Sequence, residues 1–191
     1  MKIIFLDIDG VLNYHDFLVE ERKSRTKADG KLFSIKDNET WEDMLSPSRV
    51  ARLEALVQRT GASVVISSSW RHAHPWPRIH GFLRKHGFTG KVIGATPTDI
   101  RTKFSQSVER GEEIASWLDT WAAFGDKSNP VESFIIFDDT HVGGEVDERV
   151  IYTSLHTGLL DEHVEAAIKL FEVPFRHKKK SLIIPKKNKR R

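Results

Sequence analysis

Two pairs of aspartates follow apolar segments of the sequence, and they are the residues best suited to chemistry. Asp7 and Asp9 close the segment KIIFLDID, and Asp138 and Asp139 close the segment SFIIFDD. A buried strand rarely ends in charges that have no use. Carboxylates brought together repel one another unless a cation lies among them. Oxygen ligands of this kind suit Mg²⁺, which keeps several waters and accepts a substrate phosphate.

Hydroxyl and cationic side chains supply the other half of such a site. The apolar segment VVI runs into Ser67 and Ser68. A hydroxyl group and adjacent backbone N–H groups at a strand end can hold phosphate oxygens. Arg110, in the segment VERGEEI, is the candidate cation, and Lys103 is its rival. Without such a role, Arg110 would be a surface charge that pairs with Glu113.

The elements that must position these residues alternate between strand and helix patterns. Apolar and β-branched segments predict five strands, at residues 2–8, 62–70, 91–96, 133–139 and 149–153. Amphipathic segments predict four helices, at residues 46–61, 78–87, 107–125 and 161–172. This alternation predicts an α/β fold, a three-layer Rossmann-like sandwich around a parallel sheet of about five strands. Both aspartate pairs then emerge at the same edge of the sheet.

A long insert separates the first strand from the first predicted helix. Residues 14–45 are polar, charged and weakly periodic, and they are far longer than an ordinary βα loop. They leave the carboxyl end of the first strand, where ligands bind in open α/β sheets. We expect this insert to be a small cap or lid within a single domain that covers residues 1–175.

The C-terminal residues 176–191 differ from the rest of the chain in charge. They contain nine Lys or Arg and no acid, so a net charge of +3 for the whole chain leaves about −6 for the remainder. Two interpretations stay open: a solvated, disordered tail, and an electrostatic arm that binds nucleic acid.

Composition excludes several classes of protein. The absence of cysteine excludes disulfides and thiol nucleophiles. No apolar run is long enough to span a membrane, and the aspartates of the first strand interrupt any signal-peptide pattern. We expect a cytoplasmic protein, and the sequence does not indicate its oligomeric state.

The order of the motifs resembles that of the haloacid dehalogenase (HAD) superfamily of phosphatases. Its first motif matches FLDIDGVL, its second VVISS and its fourth FIIFDD, while Arg110 stands for the Lys or Arg of the third. The resemblance covers roughly residues 1–172. The segments SSSWR and RGEEIASWL resemble, more narrowly, a subgroup associated with RNA repair proteins.

The resemblance implies a role for each acidic residue. Asp7 would attack phosphorus and form an aspartyl-phosphate, and Asp9 would act as general acid and then as general base. Asp7, Asp138 and the backbone carbonyl of Asp9 would hold Mg²⁺, with Asp139 supporting the metal or orienting a bound water. The acid at position 9 also indicates a phosphatase, since dehalogenating members lack it.

The resemblance also assigns the phosphate side of the site. Ser67 would hydrogen-bond the transferring phosphoryl group, with Ser68 beside it, and Arg110 would neutralise its charge. The family more often has Lys at this third position, and Lys and Arg bind phosphate with different geometry. The choice between Arg110 and Lys103 therefore stays open at this point.

The sequence also limits the substrate. No large cap fits between the second and third motifs, so the site would be open and would favour large or extended substrates. With the basic tail and the RNA-repair resemblance, this favours phosphate removal from a nucleic-acid end. Three alternatives stay open: a nucleotide or small-metabolite phosphatase, a non-catalytic nucleic-acid-binding module, and a phosphatase that acts on phosphoserine in proteins.

Overall fold

The computed structural model describes residues 1–24, 44–98 and 109–175. They form a five-stranded sheet in the order β3-β2-β1-β4-β5, and every pair of neighbouring strands is parallel. The strands are β1 (Lys2–Leu6), β2 (Ser63–Ile66), β3 (Val92–Ala95), β4 (Ser133–Asp138) and β5 (Val150–Tyr152). The predicted α/β class with a parallel sheet is confirmed.

Helices cover both faces of this sheet. They are α1 (His15–Ser24), α2 (Pro47–Thr60), α3 (Trp76–Lys85), α4 (Arg110–Phe124) and α5 (Asp161–Phe171). The larger core joins α2, α3 and α5 to one face, where the side chains of Ile4 and Leu6 are fully buried. The smaller core joins α4 to the other face through Ile3 and Phe5. Successive residues of a strand point to opposite faces and both faces are covered, which explains why β1 is apolar from Ile3 to Leu6.

The central position of β1 decides where the site lies. Its register pairs Leu6 with Ile66 of β2 on one side and with Phe137 of β4 on the other. The three strands therefore end at the same level, and the polar residues that follow them meet at one edge of the sheet. The ladder continues one step past β1, because the Asp7 amide donates to the Phe137 carbonyl at 3.0 Å.

The insert after β1 begins with a helix that the sequence analysis does not predict. Helix α1 follows directly on the first motif, and the amide of His15 donates to the carbonyl of Leu155 at 2.8 Å. Residues 25–43, the larger part of the predicted cap, lie outside the described residues, and its role as a lid stays a prediction. No helix within the described ranges has the length and apolar character needed to cross a bilayer.

Candidate active site

The turn after β1 brings the first motif against the fourth. Gly10 has a φ of +67°, a conformation that L side chains rarely adopt. A Cβ atom at Gly10 would lie 2.3 Å from the carboxyl carbon of Asp139. Thr153 fixes the same turn, because its hydroxyl donates to the Gly10 carbonyl at 2.7 Å. Glycine is therefore required here by conformation and by space, and it lets Asp139 approach the first motif.

Three carboxylates converge where β1 and β4 end. One oxygen each from Asp7, Asp138 and Asp139 lies within 4.8 Å of the other two. Asp138 is fully buried, Asp7 is 5% exposed and Asp139 is half-buried. One oxygen of Asp138 accepts from the amide of Thr140 at 2.9 Å and from its hydroxyl at 2.7 Å. Its other oxygen accepts no hydrogen bond from a described residue.

Burial and mutual repulsion change the acidity of this cluster. The pKa of Asp7 is raised from 3.8 to about 6, chiefly by burial and also by the neighbouring Asp138 carboxylate, against the opposing attraction of Arg110. Burial, with Asp138 again adding to it, also raises the pKa of Asp139. Ionisation of these buried, mutually repelling carboxylates is therefore unfavourable, and a bound cation would make it favourable.

Arg110 partly supplies that cation. Its Nη1 atom lies 3.1 Å from Oδ2 of Asp7 and 3.3 Å from Oδ2 of Asp138. Burial alone would lower the pKa of Arg110, but the Asp7 and Asp138 carboxylates raise it, so the side chain stays charged. Three carboxylates and one guanidinium leave a local charge of −2. All the free ligand atoms are oxygens, so the cluster fits a divalent hard cation such as Mg²⁺.

The first turn of α4 holds Arg110 in this position. Glu109 is extended, and the helix begins at Arg110. The amide of Gly111 donates to the Val142 carbonyl at 2.9 Å. A Cβ atom at Gly111 would lie 2.1 Å from the backbone oxygen of Gly143, so only glycine permits this approach. The loop after β4 thus brings the start of α4 to the acidic cluster.

The end of β2 provides the hydroxyl groups. Ser67 and Ser68 are both fully buried. The Ser67 hydroxyl has no hydrogen-bond partner among the described residues, while its carbonyl accepts a hydrogen bond from Arg110. The Ser68 hydroxyl accepts from the Trp70 amide at 3.3 Å and also contacts Asp7. Ser67 therefore keeps a hydroxyl available to a bound group, whereas Ser68 caps the following turn.

Asp9 lies apart from the acidic cluster. The indole Nε1 of Trp70 donates to both carboxylate oxygens of Asp9, at 3.1 Å each. The side-chain amide of Asn13 donates to Oδ1 at 2.8 Å. These donors hold the Asp9 side chain, which is not among the three carboxylates that could hold a metal. Only the backbone carbonyl of Asp9 was predicted as a ligand, and that assignment stays a prediction.

The structure shows what Trp70, Arg71 and Glu113 contact. Trp70 is 2% exposed and packs in the larger core, and its indole donates to Asp9. Arg71 pairs with Glu113 and donates to the Ser68 carbonyl at 2.7 Å. Glu113 is therefore the partner of Arg71 and does not pair with Arg110 as a surface charge would.

Five of the predicted site residues form one group. The structure brings Asp7, Asp138, Asp139, Ser67 and Arg110 together at the carboxyl edge of the sheet. Lys103, the rival cation, lies outside the described residues, as does the basic tail at 176–191. Sequence reasoning missed the hydrogen bonds that hold Asp9, because residues 9 and 70 are far apart in the chain and no local pattern connects them.

Comparison with known proteins agrees with this arrangement. A family model described as "HAD domain in Swiss Army Knife RNA repair proteins" matches residues 3–164, a span that includes every motif of the site. No curated protein and no solved structure matches the chain significantly. The match covers most of the chain and confirms the resemblance that the motifs indicate. The chain therefore belongs to the HAD superfamily, in the family of HAD domains found in Swiss Army Knife RNA repair proteins.

Proposed function

We propose that the chain is an Mg²⁺-dependent phosphomonoester hydrolase that acts through an aspartyl-phosphate intermediate. The observation that carries the proposal is the cluster of Asp7, Asp138 and Asp139 with the Arg110 guanidinium against it. Mg²⁺ held by these oxygens would neutralise charge on the phosphate and orient it. The rest of the chemistry belongs to side chains of this chain.

In the first step, a carboxylate oxygen of Asp7 attacks phosphorus. The new O–P bond forms as the bond from phosphorus to the leaving oxygen breaks, and Asp9 gives its proton to that oxygen. Arg110 and the Ser67 hydroxyl stabilise the charge that spreads over the phosphoryl oxygens. The Arg110 guanidinium pairs with Asp7 and also donates to the Ser67 carbonyl, so it joins these two residues of the site.

In the second step, water attacks the phosphorus of the aspartyl-phosphate. Asp9, now ionised, takes a proton from this water, and cleavage of the O–P bond returns Asp7 as a carboxylate with release of inorganic phosphate. The indole of Trp70 and the amide of Asn13 suit this step, since both donate to the ionised form of Asp9. Atoms and protons balance over the two steps.

The proposed substrate is a phosphorylated nucleic-acid end. The family match to domains of RNA repair proteins supports this choice. Within the described residues, a helix and one strand occupy the chain between the second motif and residue 98, and a large cap domain is absent from this part. Such a site admits an extended chain whose terminal phosphate enters while the rest stays outside.

Hydrolysis of p-nitrophenyl phosphate tests the chemistry. We expect release that requires Mg²⁺, stops with EDTA and is lost in Asp7→Asn. The exposed Asp126→Asn should keep full activity and serves as the matched carboxylate control. Activity that persists in Asp7→Asn would contradict the mechanism.

Competition between substrates tests the substrate class. Oligonucleotides with a 3′- or 5′-phosphate should be hydrolysed with a higher kcat/KM than free nucleotides. Preference for free nucleotides would make the chain a nucleotide or small-metabolite phosphatase. Oligonucleotide binding without phosphate release from any substrate would make it a non-catalytic nucleic-acid-binding module.

A further inference from the structure

One continuous part of the domain contains no acidic residue. Residues 55–98 include six Lys or Arg and four His, with no Asp or Glu. The six cations give this part a charge of +6; they are Arg59, Arg71, Arg78, Arg84, Lys85 and Lys91. A soluble surface usually mixes both signs of charge, so this segregation is a feature that the catalytic chemistry does not explain.

Three of these cations are exposed and have no acidic partner among the described residues. Arg59 pairs with Glu165, and Arg71 pairs with Glu113. Arg78, Arg84 and Lys91 are exposed, and none of them joins the ion pairs that the described residues form. We name these three residues the α3 basic surface. Their charges are available to a ligand.

The α3 basic surface begins near the active site and leads away from it. Helix α3 follows the 3₁₀ helix Ser69–His72, which adjoins the hydroxyl side of the site, and it ends before β3 at the edge of the sheet. Its ten residues advance about 15 Å along the helix axis. Arg78 lies in the first turn of α3, whereas Arg84 lies in the last turn and Lys91 directly precedes β3.

A groove lies at the far end of this surface. Its volume is about 550 Å³, and Arg84, Lys91 and His80 line it together with the turn at residues 87–90. The His80 ring bonds the carbonyl of Gly90 at 3.1 Å and so ties α3 to that turn. The groove therefore combines two exposed cations with a backbone turn that the folded domain holds in place.

We infer that the α3 basic surface binds the sugar–phosphate backbone of a single-stranded polynucleotide whose phosphorylated end occupies the active site. This inference rests on the proposed function and adds the path of the strand. Exposed cations without ion-pair partners suit a ligand that repeats a negative charge, and such contacts do not depend on base sequence. One acid, Glu54 of α2, reaches the turn, where its carboxylate accepts hydrogen bonds from the amide and the hydroxyl of Thr89. The opposite side of the site cannot serve, because residues 109–148 contain eleven acids against Arg110 and Lys127.

The test removes the three charges together in the full-length chain. The variant Arg78→Gln/Arg84→Gln/Lys91→Gln should lose about tenfold in affinity for an unphosphorylated RNA strand of about 12 nucleotides, measured by fluorescence anisotropy. The slope of log affinity against log salt should fall by about 2, since each phosphate contact in a single strand contributes about 0.7. The same variant should lose about tenfold more kcat/KM on a phosphorylated strand than on p-nitrophenyl phosphate.

A second triple variant controls for net charge. Arg52→Gln/Lys127→Gln/Lys169→Gln removes the same charge from α2, from the loop after α4 and from α5, at exposed or half-buried positions outside residues 55–98. We expect this variant to keep the RNA affinity and salt slope of the parent. Equal losses in both triple variants, or no loss in the α3 variant, would overturn the inference.

The two proposals fail in different ways. The anisotropy measurement uses RNA without a terminal phosphate and requires no turnover. It therefore measures RNA binding independently of the proposed catalysis. Loss of p-nitrophenyl phosphate hydrolysis in the parent chain would overturn the proposed chemistry while RNA binding at the α3 basic surface remained. Normal hydrolysis with unchanged RNA binding in the α3 variant would overturn the proposed role of the α3 basic surface and leave the proposed chemistry intact.

Discussion

Residues 55–98 and residues 109–148 flank the same edge of the sheet with opposite charges. The first segment carries six cations and no acid, whereas the second carries eleven acids and two cations, a difference between +6 and −9. Both segments contribute to the site, the first through Ser67 and the second through Asp138 and Asp139. Charge is therefore segregated along the chain.

These two segments show how one edge of a sheet can offer ligands for a cation and for an anion together. In the proposed function, the acidic segment provides oxygens for a metal, and the basic segment provides a hydroxyl for phosphate and cations for the strand beyond it. Arg110 belongs to the acidic segment by sequence, yet its guanidinium donates to the Ser67 carbonyl and pairs with Asp7 and Asp138. Together with the Arg71–Glu113 ion pair, it joins the two regions.

The largest loss of activity should come from removing a carboxylate of the acidic cluster. Asp138→Asn removes a buried carboxylate from the metal cluster, so kcat/KM should fall on the order of 10⁴-fold because the metal contributes several kcal/mol to the transition state. Mg²⁺ at 100 times its Kd should raise the Tm of the parent chain by about 5–10 °C. Differential scanning fluorimetry should show this rise in Asp126→Asn and not in Asp138→Asn. An equal rise in both would mean that the cluster does not hold the metal.

A smaller effect should follow from cutting the link between the two regions. Arg110→Met removes the cation shared by Asp7, Asp138 and the Ser67 carbonyl, so kcat/KM for p-nitrophenyl phosphate should fall on the order of 10³-fold. Arg110→Lys keeps the charge and should recover part of the loss. Stabilisation by Mg²⁺ should persist in Arg110→Met, since the three carboxylates remain. Unchanged turnover in Arg110→Met would assign the third-motif role to another cation, with Lys103 as the next residue to replace.

The smallest loss of activity should come from replacing the indole that donates to Asp9. Trp70→Phe keeps a buried ring but removes the N–H that donates to Asp9, so kcat should fall about tenfold with little change in KM. Trp117→Phe is the matched control, because Trp117 packs against Phe5 and Trp121 on the other face of the sheet. Both variants should unfold at similar temperatures. If kcat fell equally in both, the loss would reflect packing and not the position of Asp9.

The sequence predicts the fold well because its local signals agree with its tertiary contacts. Alternation of strand and helix patterns predicts the parallel sheet, and the segment SFIIFDD matches β4 to within one residue. Gly61 ends α2 in the left-handed conformation, as its position after the helix predicts. Ser46 occupies the N-cap position of α2, although its hydroxyl contacts the Ser48 hydroxyl and caps no backbone amide.

The observed bounds of three elements differ from the predicted bounds, and local contacts or backbone conformation explain each difference. The strand predicted at 62–70 ends at Ile66, because the chain turns after Ser68 accepts a hydrogen bond from the Trp70 amide. The helix predicted at 78–87 begins at Trp76, since the proline at the second helical position needs no hydrogen-bond partner there. The helix predicted from residue 107 begins at Arg110, because Glu109 is extended.

The site is predictable from the sequence only in part. Paired acids after apolar strands identify the cluster, because parallel strands end at one edge and bring their last residues together. The bonds from Trp70 to Asp9 and from Arg71 to Glu113 join residues 61 and 42 positions apart. Such contacts depend on how 3₁₀ turns and helices pack at the edge of the sheet, and no spacing in the sequence predicts them.

Chemical trapping of the phosphorylated enzyme tests the central claim most directly. The full-length chain would be mixed with Mg²⁺ and p-nitrophenyl phosphate, quenched during turnover and treated with borohydride, which reduces an acyl-phosphate to an alcohol. Mass spectrometry should then find homoserine at position 7, and none in samples without substrate or with EDTA. Rapid turnover that leaves Asp7 unmodified, or modification at Asp9 instead, would contradict Asp7 as the nucleophile.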